Sequence, residues 1–183
     1  MKKVEKPTRG RNRELKFADY PDFRPNLTPN EIFSQGAFGG TYWRKIKSGV
    51  TGKTYEHIHK AYPDFKDIDE KLLSSSECNK SFNKYGVTSG TSLEYWEKKG
   101  WIKPSHPYGW MHWYADFYNG HRCEDDQRQI DRWLAFAGPK GRFSRRLINL
   151  IKTEKKLNDY SISPVIRQGL HQWAKVITKY DLK

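Results

Sequence analysis

Aliphatic side chains, sulfur and acid are all scarce in this 183-residue chain. Hydrophobic residues make up 36 % of it, below the usual globular share, so an aliphatic core of ordinary size is excluded. There are two cysteines, Cys78 and Cys123. With no secretory leader they supply no disulfide framework, and reduced thiols are expected. No apolar run approaches the roughly 18 residues of a spanning helix. The opening MKKVEKPTRGRNRELKF is charged and has no apolar segment behind it, so neither a cleaved signal peptide nor a membrane anchor is expected. The expectation is a soluble intracellular protein, nuclear or nucleoid-associated if it binds DNA. Acid is the minority charge: 21 Asp and Glu face 34 Lys and Arg, for a net charge of +13.

What replaces the aliphatics is aromatic: seven Trp, eleven Tyr and nine Phe. Each ring buries far more area than a valine, which predicts a folded chain with a tryptophan-heavy core. A basic, aromatic-rich chain also has the composition of a polyanion binder. Lys and Arg neutralise phosphates and release counterions, and ring faces stack on bases. The length suits one domain.

Residues 1–16 carry seven basic residues against Glu5 and Glu14 with no apolar period, which predicts a flexible basic arm, 1–20, able to lie along a phosphate backbone. Residues 17–27 are Pro-broken and aromatic, an irregular strap. Thr28-Pro29-Asn30-Glu31 is a helix start with a capping box, and Gly36 ends that helix. A β-hairpin is predicted over roughly 40–59, with TYWRKI and KTYEHIH about the turn KSGVTG. Residues 60–90 read as loop with one short helix at DIDEKLL. Thr91-Ser92-Leu93-Glu94 opens a second capped helix, closed by Gly100.

From residue 107 the chain reads as helical. Trp110, Trp113, Tyr114 and Phe117 share one face; Ile130, Trp133, Leu134 and Ala137 repeat the spacing, and Gly138-Pro139 stops that helix. Phe143, Leu147, Leu150 and Ile151 mark the next, and Ser163-Pro164 starts the last. The predicted fold class is mainly α: a single-domain, helical bundle-like core over 21–183 with a small N-terminal β-hairpin.

Arg145, Asn149, Lys152 and Lys156 form a stripe opposite the apolar one, and Arg167, His171 and Lys175 form another on the last helix. Like charges at i, i+4 destabilise an isolated helix slightly, so such a stripe suggests a polyanion opposite it. Between two helices lies Gly138-Pro139-Lys140-Gly141-Arg142. The free N–H groups of the following helix and its positive dipole end suit a phosphate. This turn resembles the helix-hairpin-helix element of DNA-repair proteins, although the spacing here is Gly-x-x-Gly rather than Gly-x-Gly. Expected nucleic-acid contacts, DNA before RNA, are Lys140, Arg142, Arg145, Arg146, Asn149, Lys152, Arg167, Arg122 and Arg128.

Chemistry is suggested in three places. Gly52-Lys53-Thr54 ends like a P-loop, but Lys47 stands where its first glycine belongs, which favours a hairpin turn. Gly40-Thr41-Tyr42 and Gly52-Lys53-Thr54-Tyr55 resemble the GIY-YIG nucleases, with Glu56 in place of a glycine. That resemblance would make Tyr42 and Tyr55 catalytic and Arg44 a phosphate ligand. His57 and His59, like His121 and Cys123, are too few ligands for a metal, and none is expected. The fullest polar cluster joins His112 and Asp116, one turn apart, to His121, Arg122, Asp125 and Arg128. It would serve as an acid–base site in a nuclease- or glycosylase-like enzyme, with the arginines on a phosphate. The alternative for the same residues is a capped helix whose acids and arginines pair. No cofactor is indicated. An acidic protein is the alternative partner to nucleic acid.

Taken together, GAFGGTYWRKIKSGVTGKTY, HPYGWMHWYADFYNGHRCEDDQRQIDRW, AGPKGRF and SISPVIRQGLHQW resemble a family of short proteins of plants, fungi, algae and DNA viruses. That resemblance supplies no activity. It implies that 21–183 is one stand-alone unit and 1–20 an added arm.

Overall fold

In a computed structural model, which describes residues 2–183, helices of all kinds hold 41 % of the chain and strands are few and short. The α-helices are α1 (Pro29–Gln35), α2 (Leu93–Lys98), α3 (Trp110–Tyr118), α4 (Asp126–Phe136), α5 (Arg142–Glu154) and α6 (Pro164–Gln172). Three two-stranded antiparallel pairs complete it. They join β1 (Lys2–Lys3) to β6 (His121–Arg122), β2 (Thr8–Arg9) to β3 (Leu15–Lys16), and β4 (Ile46–Lys47) to β5 (Thr54–Tyr55). None of the helices is long and apolar enough to cross a membrane.

The helix starts follow their local chemistry. Thr28 accepts the Glu31 N–H while the Glu31 carboxylate accepts the Thr28 N–H, a reciprocal cap that satisfies two orphan donors of α1. At α2 only Ser92 caps, accepting the Tyr95 N–H. The predicted hairpin exists but is short. Its turn closes through Ser48 N–H to the Lys53 carbonyl, with Gly52 at φ +70°. This is a hairpin turn and not a phosphate loop.

The expected flexible arm is instead built into the body, although residue 1 lies outside the described residues. Lys3 pairs with His121, and the Val4 N–H donates to the Gly120 carbonyl. Leu15 and Phe17 are buried. Three of the arm's cations are already paired, Lys6 with Asp64 and both Arg9 and Arg13 with Glu31. The strap after the arm lies at the centre of the core. Phe23 is fully buried, with ring centroids 5.1–5.9 Å from those of Phe17, Trp113, Tyr114, Phe117 and Trp133. Trp43, Trp113 and Trp133 are buried with it, which is the tryptophan core that the composition predicts.

Residues 58–82 hold four short 3-10 turns rather than an α-helix; DIDEKLL keeps only one of them, Glu70–Leu72. This segment is laced to Gly39 and Gly40 by backbone bonds from Asn79 and Ser75. Both glycines have φ in the left-handed region, and a Cβ on Gly39 would stand 2.2 Å from Cys78 Sγ. That close approach is what requires glycine there.

Candidate nucleic-acid interface

The turn from α4 into α5 is held tightly. The Gly141 N–H donates to the Gly138 carbonyl, and buried Ser144 donates its hydroxyl to the Ala137 carbonyl. Neither glycine is at positive φ; the requirement is space. A Cβ on Gly141 would lie 2.7 Å from the Phe136 carbonyl, and one on Gly138 2.7 Å from that of Leu134. The turn brings Lys140, Arg142, Arg145, Arg146 and Asn149 around one open groove of about 650 Å³, floored by Ala135 and Leu150. All five polar side chains are exposed, and none of the cations is in an ion pair among the described residues. Lys152 is exposed one turn further along α5. Gly141 offers no side-chain cap, and the first turn of α5 holds no acid. The helix therefore starts with positive side chains at its positive end, an arrangement that favours a bound anion.

The other expected contacts serve the fold. Arg167 is buried on α6, where its guanidinium donates to the carbonyls of Ile162, Leu157 and Asp159. His171 is fully buried, with Nε2 3.0 Å from the Ile32 carbonyl, and Lys175 is buried against Asp181 at 2.6 Å. The expected basic stripe of α6 thus points into the protein, because α6 is covered on that side too. Arg122 is buried over the Phe117 ring, paired with Asp19 at 2.8 Å and bonded to the Phe117 carbonyl. Arg128 grips Asp125 through two N–H groups, at 2.5 and 2.7 Å.

The expected acid–base site is not assembled. His112 is buried, with its ring against Trp43, Tyr108 and His106. Burial, helped by the His106 charge, pulls its pKa down to about 3, so it stays neutral. Asp116, its expected partner, instead accepts the Tyr62 hydroxyl at 2.8 Å and lies 3.4 Å from His106 Nε2. Burial works to raise the Asp116 pKa, but those two bonds hold it below the usual value. Asp125 is likewise desolvated, and Arg128 and Gln129 keep it ionised. His121 sits on β6 and bonds to none of the other three. Of the capped-helix alternative, the Arg128–Asp125 pair is present, while Arg122 pairs with Asp19 and Asp125 makes no side-chain cap.

The nuclease resemblance fails at its first tyrosine. The Tyr42 hydroxyl donates to the Tyr108 carbonyl at 2.6 Å and accepts the His112 N–H at 3.1 Å. Burial pushes its pKa far above the usual value. Tyr55 donates to Thr51, and Arg44 to the Thr41 carbonyl. His59 Nε2 meets the Glu70 carboxylate at 2.9 Å, but among the described residues no group of three or more ligands could hold a metal.

Three features escape the sequence reading. His106 is the residue that meets Asp116, yet it lies in a turn with no helical register to the acid. Arg132 lies between the rings of Trp101 and Trp173. A second cleft, of about 470 Å³, is lined by Arg44, Thr41, Cys78, Trp96 and Tyr108 and by the hydroxyl-rich segment 88–92. The TSGTS run at 88–92 was the available signal for that cleft. No protein-family model, curated protein or solved structure matches this chain.

Proposed function

We propose that the chain binds nucleic acid through the phosphate backbone, with the groove at the start of α5 as the contact surface. The observation that carries this reading is the groove itself: four exposed cations without carboxylate partners among the described residues, around the uncapped start of a thirteen-residue helix. Phosphates satisfy both the side chains and the free N–H groups. The frame is read as a small bundle in which α3, α4, α5 and α6 each pack on the next, with the short hairpins beside it. The DNA-repair-like turn of the sequence falls at the groove, its glycines bringing the backbones of Phe136 and Gly141 together. Catalysis is not part of the reading, since the histidine meant to carry it is buried and neutral. A binding titration of the full chain against duplex DNA at two salt concentrations tests it. A steep loss of affinity with salt is expected; no binding, or a response flat in salt, overturns it.

A further inference from the structure

Thirteen of the 27 large rings in this protein are buried, and one continuous series runs outward from them. Phe143 and Phe136 lie with ring centroids 4.4 Å apart. Phe136 stacks on Trp173 at 4.7 Å and 16°. The Arg132 guanidinium then sits 5.4 Å from the Trp173 ring and 5.5 Å from Trp101, and Trp101 meets Tyr95 edge to face at 5.8 Å. Phe143, Phe136, Trp173 and Arg132 are half-buried, whereas Trp101 is 39 % and Tyr95 41 % exposed. The series crosses α2, α4, α5 and the end of α6, so it belongs to no single hydrophobic face.

Its charges are as informative as its rings. Arg142 lies 4.5 Å over Phe143, and Lys99 lies 5.5 Å over Tyr95, so each end carries a cation. Arg132 in the middle has no carboxylate within ion-pair distance among the described residues. Its near acids are engaged elsewhere: Asp125 by Arg128 and Gln129, Asp131 by Gln127. Among the described residues its guanidinium donates only to Gln129. Burial and the neighbouring Arg128 draw its pKa down to about 10, which leaves it charged at neutral pH. Arg142 also lines the α5 groove, so the aromatic series begins where the phosphate-binding surface ends.

We infer that the exposed rings of Trp101 and Tyr95, with Arg132 and Lys99 beside them, form a stacking track for single-stranded nucleic acid, joined to the groove at α5 through the packed rings of Trp173, Phe136 and Phe143. The exposed rings offer faces to unpaired bases and the adjacent cations hold the backbone beside them, whereas Phe136 and Trp173 are covered by each other, by Phe143 and by Trp110 and serve as the support. Paired bases in a duplex have no free face for the rings, so the track selects unpaired strands. The inference rests on the proposed phosphate-binding function and adds strandedness to it.

The test uses the full chain with a fluorescent oligothymidylate of about a dozen nucleotides and a duplex of equal length. The variants are Trp101→Leu and Tyr95→Leu, which keep an apolar side chain and remove the ring, and Trp101→Phe, which restores one. Both positions are exposed, and melting curves confirm that each variant folds. Expected is a roughly ten-fold weaker single-strand affinity for each leucine variant, near wild-type affinity for Trp101→Phe, and unchanged duplex binding. If both leucine variants bind the oligothymidylate like wild type while Arg145→Ala still weakens it, the track is overturned and the phosphate surface stands. Equal losses on both nucleic acids also overturn it. If wild type binds neither but captures polyglutamate, both readings fall and an acidic protein partner replaces them.

Discussion

Replacing Arg145 and Arg146 by alanine together should flatten the salt dependence of binding by an amount that the structure sets in advance. Five cations at the start and along α5 are exposed and, among the described residues, without ion-pair partners: Lys140, Arg142, Arg145, Arg146 and Lys152. If each neutralises one phosphate, the slope of log affinity against log salt on duplex DNA is about −4.5, and about −3.5 on a single strand. Between about 50 and 200 mM salt, duplex affinity then falls about 500-fold. Removing two contacts brings the slope to about −2.7 and the fall to about 40-fold. Among the described residues neither arginine makes a side-chain hydrogen bond, so the melting temperature should hold to within a few degrees. The assay is fluorescence anisotropy at four or more salt concentrations, wild type beside variant. A variant slope equal to wild type would refute the placement of the contacts, whatever the affinity at one salt concentration. The same slope is also blind to buried cations, so Arg167 provides an internal control.

Arg167→Ala should leave the slope alone but strand the carbonyls of Leu157, Asp159 and Ile162, lowering stability by about 2–4 kcal/mol in denaturant titrations. Gly141→Ala forces the Phe136 backbone away, so a loss of about 1–3 kcal/mol in the same assay is expected, with weaker binding as the groove opens. Acid should unfold the protein early. The unfolded chain protonates its histidines near pH 6.5, while burial holds His112 at about 3 and His171 at about 4 in the fold. Their stabilisation is complete above pH 6.5 and is lost as pH falls, about 2 kcal/mol for each by pH 5. His112→Phe should remove its half of that slope, which melts at pH 7, 6 and 5 will show.

Where a feature depends on neighbours in sequence, it was legible. The Thr28 capping box, the Trp110-Trp113-Tyr114-Phe117 face and the Gly138-Gly141 turn all stand as read, since caps and helical spacing act within a few residues. Where a feature depends on what covers a face, spacing misled. Arg167, His171 and Lys175 recur at i, i+4 whether they meet water or, as here, carbonyls and Asp181. Asn26, from a segment some 150 residues earlier, binds the Val176 backbone beside them, and nothing in the helix sequence announces it. His112 and Asp116 do lie one turn apart, but His106 and Tyr62 reach the acid first. The aromatic series was invisible for the same reason: its rings come from separate helices, each with its own period.

The net charge of +13 therefore matters less than how it is sorted. Part is spent inside, on Arg122, Arg167 and Lys175, and part of the N-terminal segment is paired with Asp64 and Glu31. Other exposed cations, Lys47, Lys53, Lys80 and Lys103 among them, are scattered over the surface, but a group lies at the start of α5, where the helix dipole makes positive charge unfavourable and negative charge favourable. A chain optimised only for stability would carry an acid there. Arg145→Glu should accordingly stabilise the free protein by about 0.5–1 kcal/mol, through the dipole and a new pairing with Arg142 one turn back. The same variant should bind nucleic acid far more weakly, because it places a carboxylate where a phosphate belongs. Denaturant melts and anisotropy on one preparation measure both effects. A variant that is less stable, or that binds as well as wild type, would show that these cations are ordinary solvated surface.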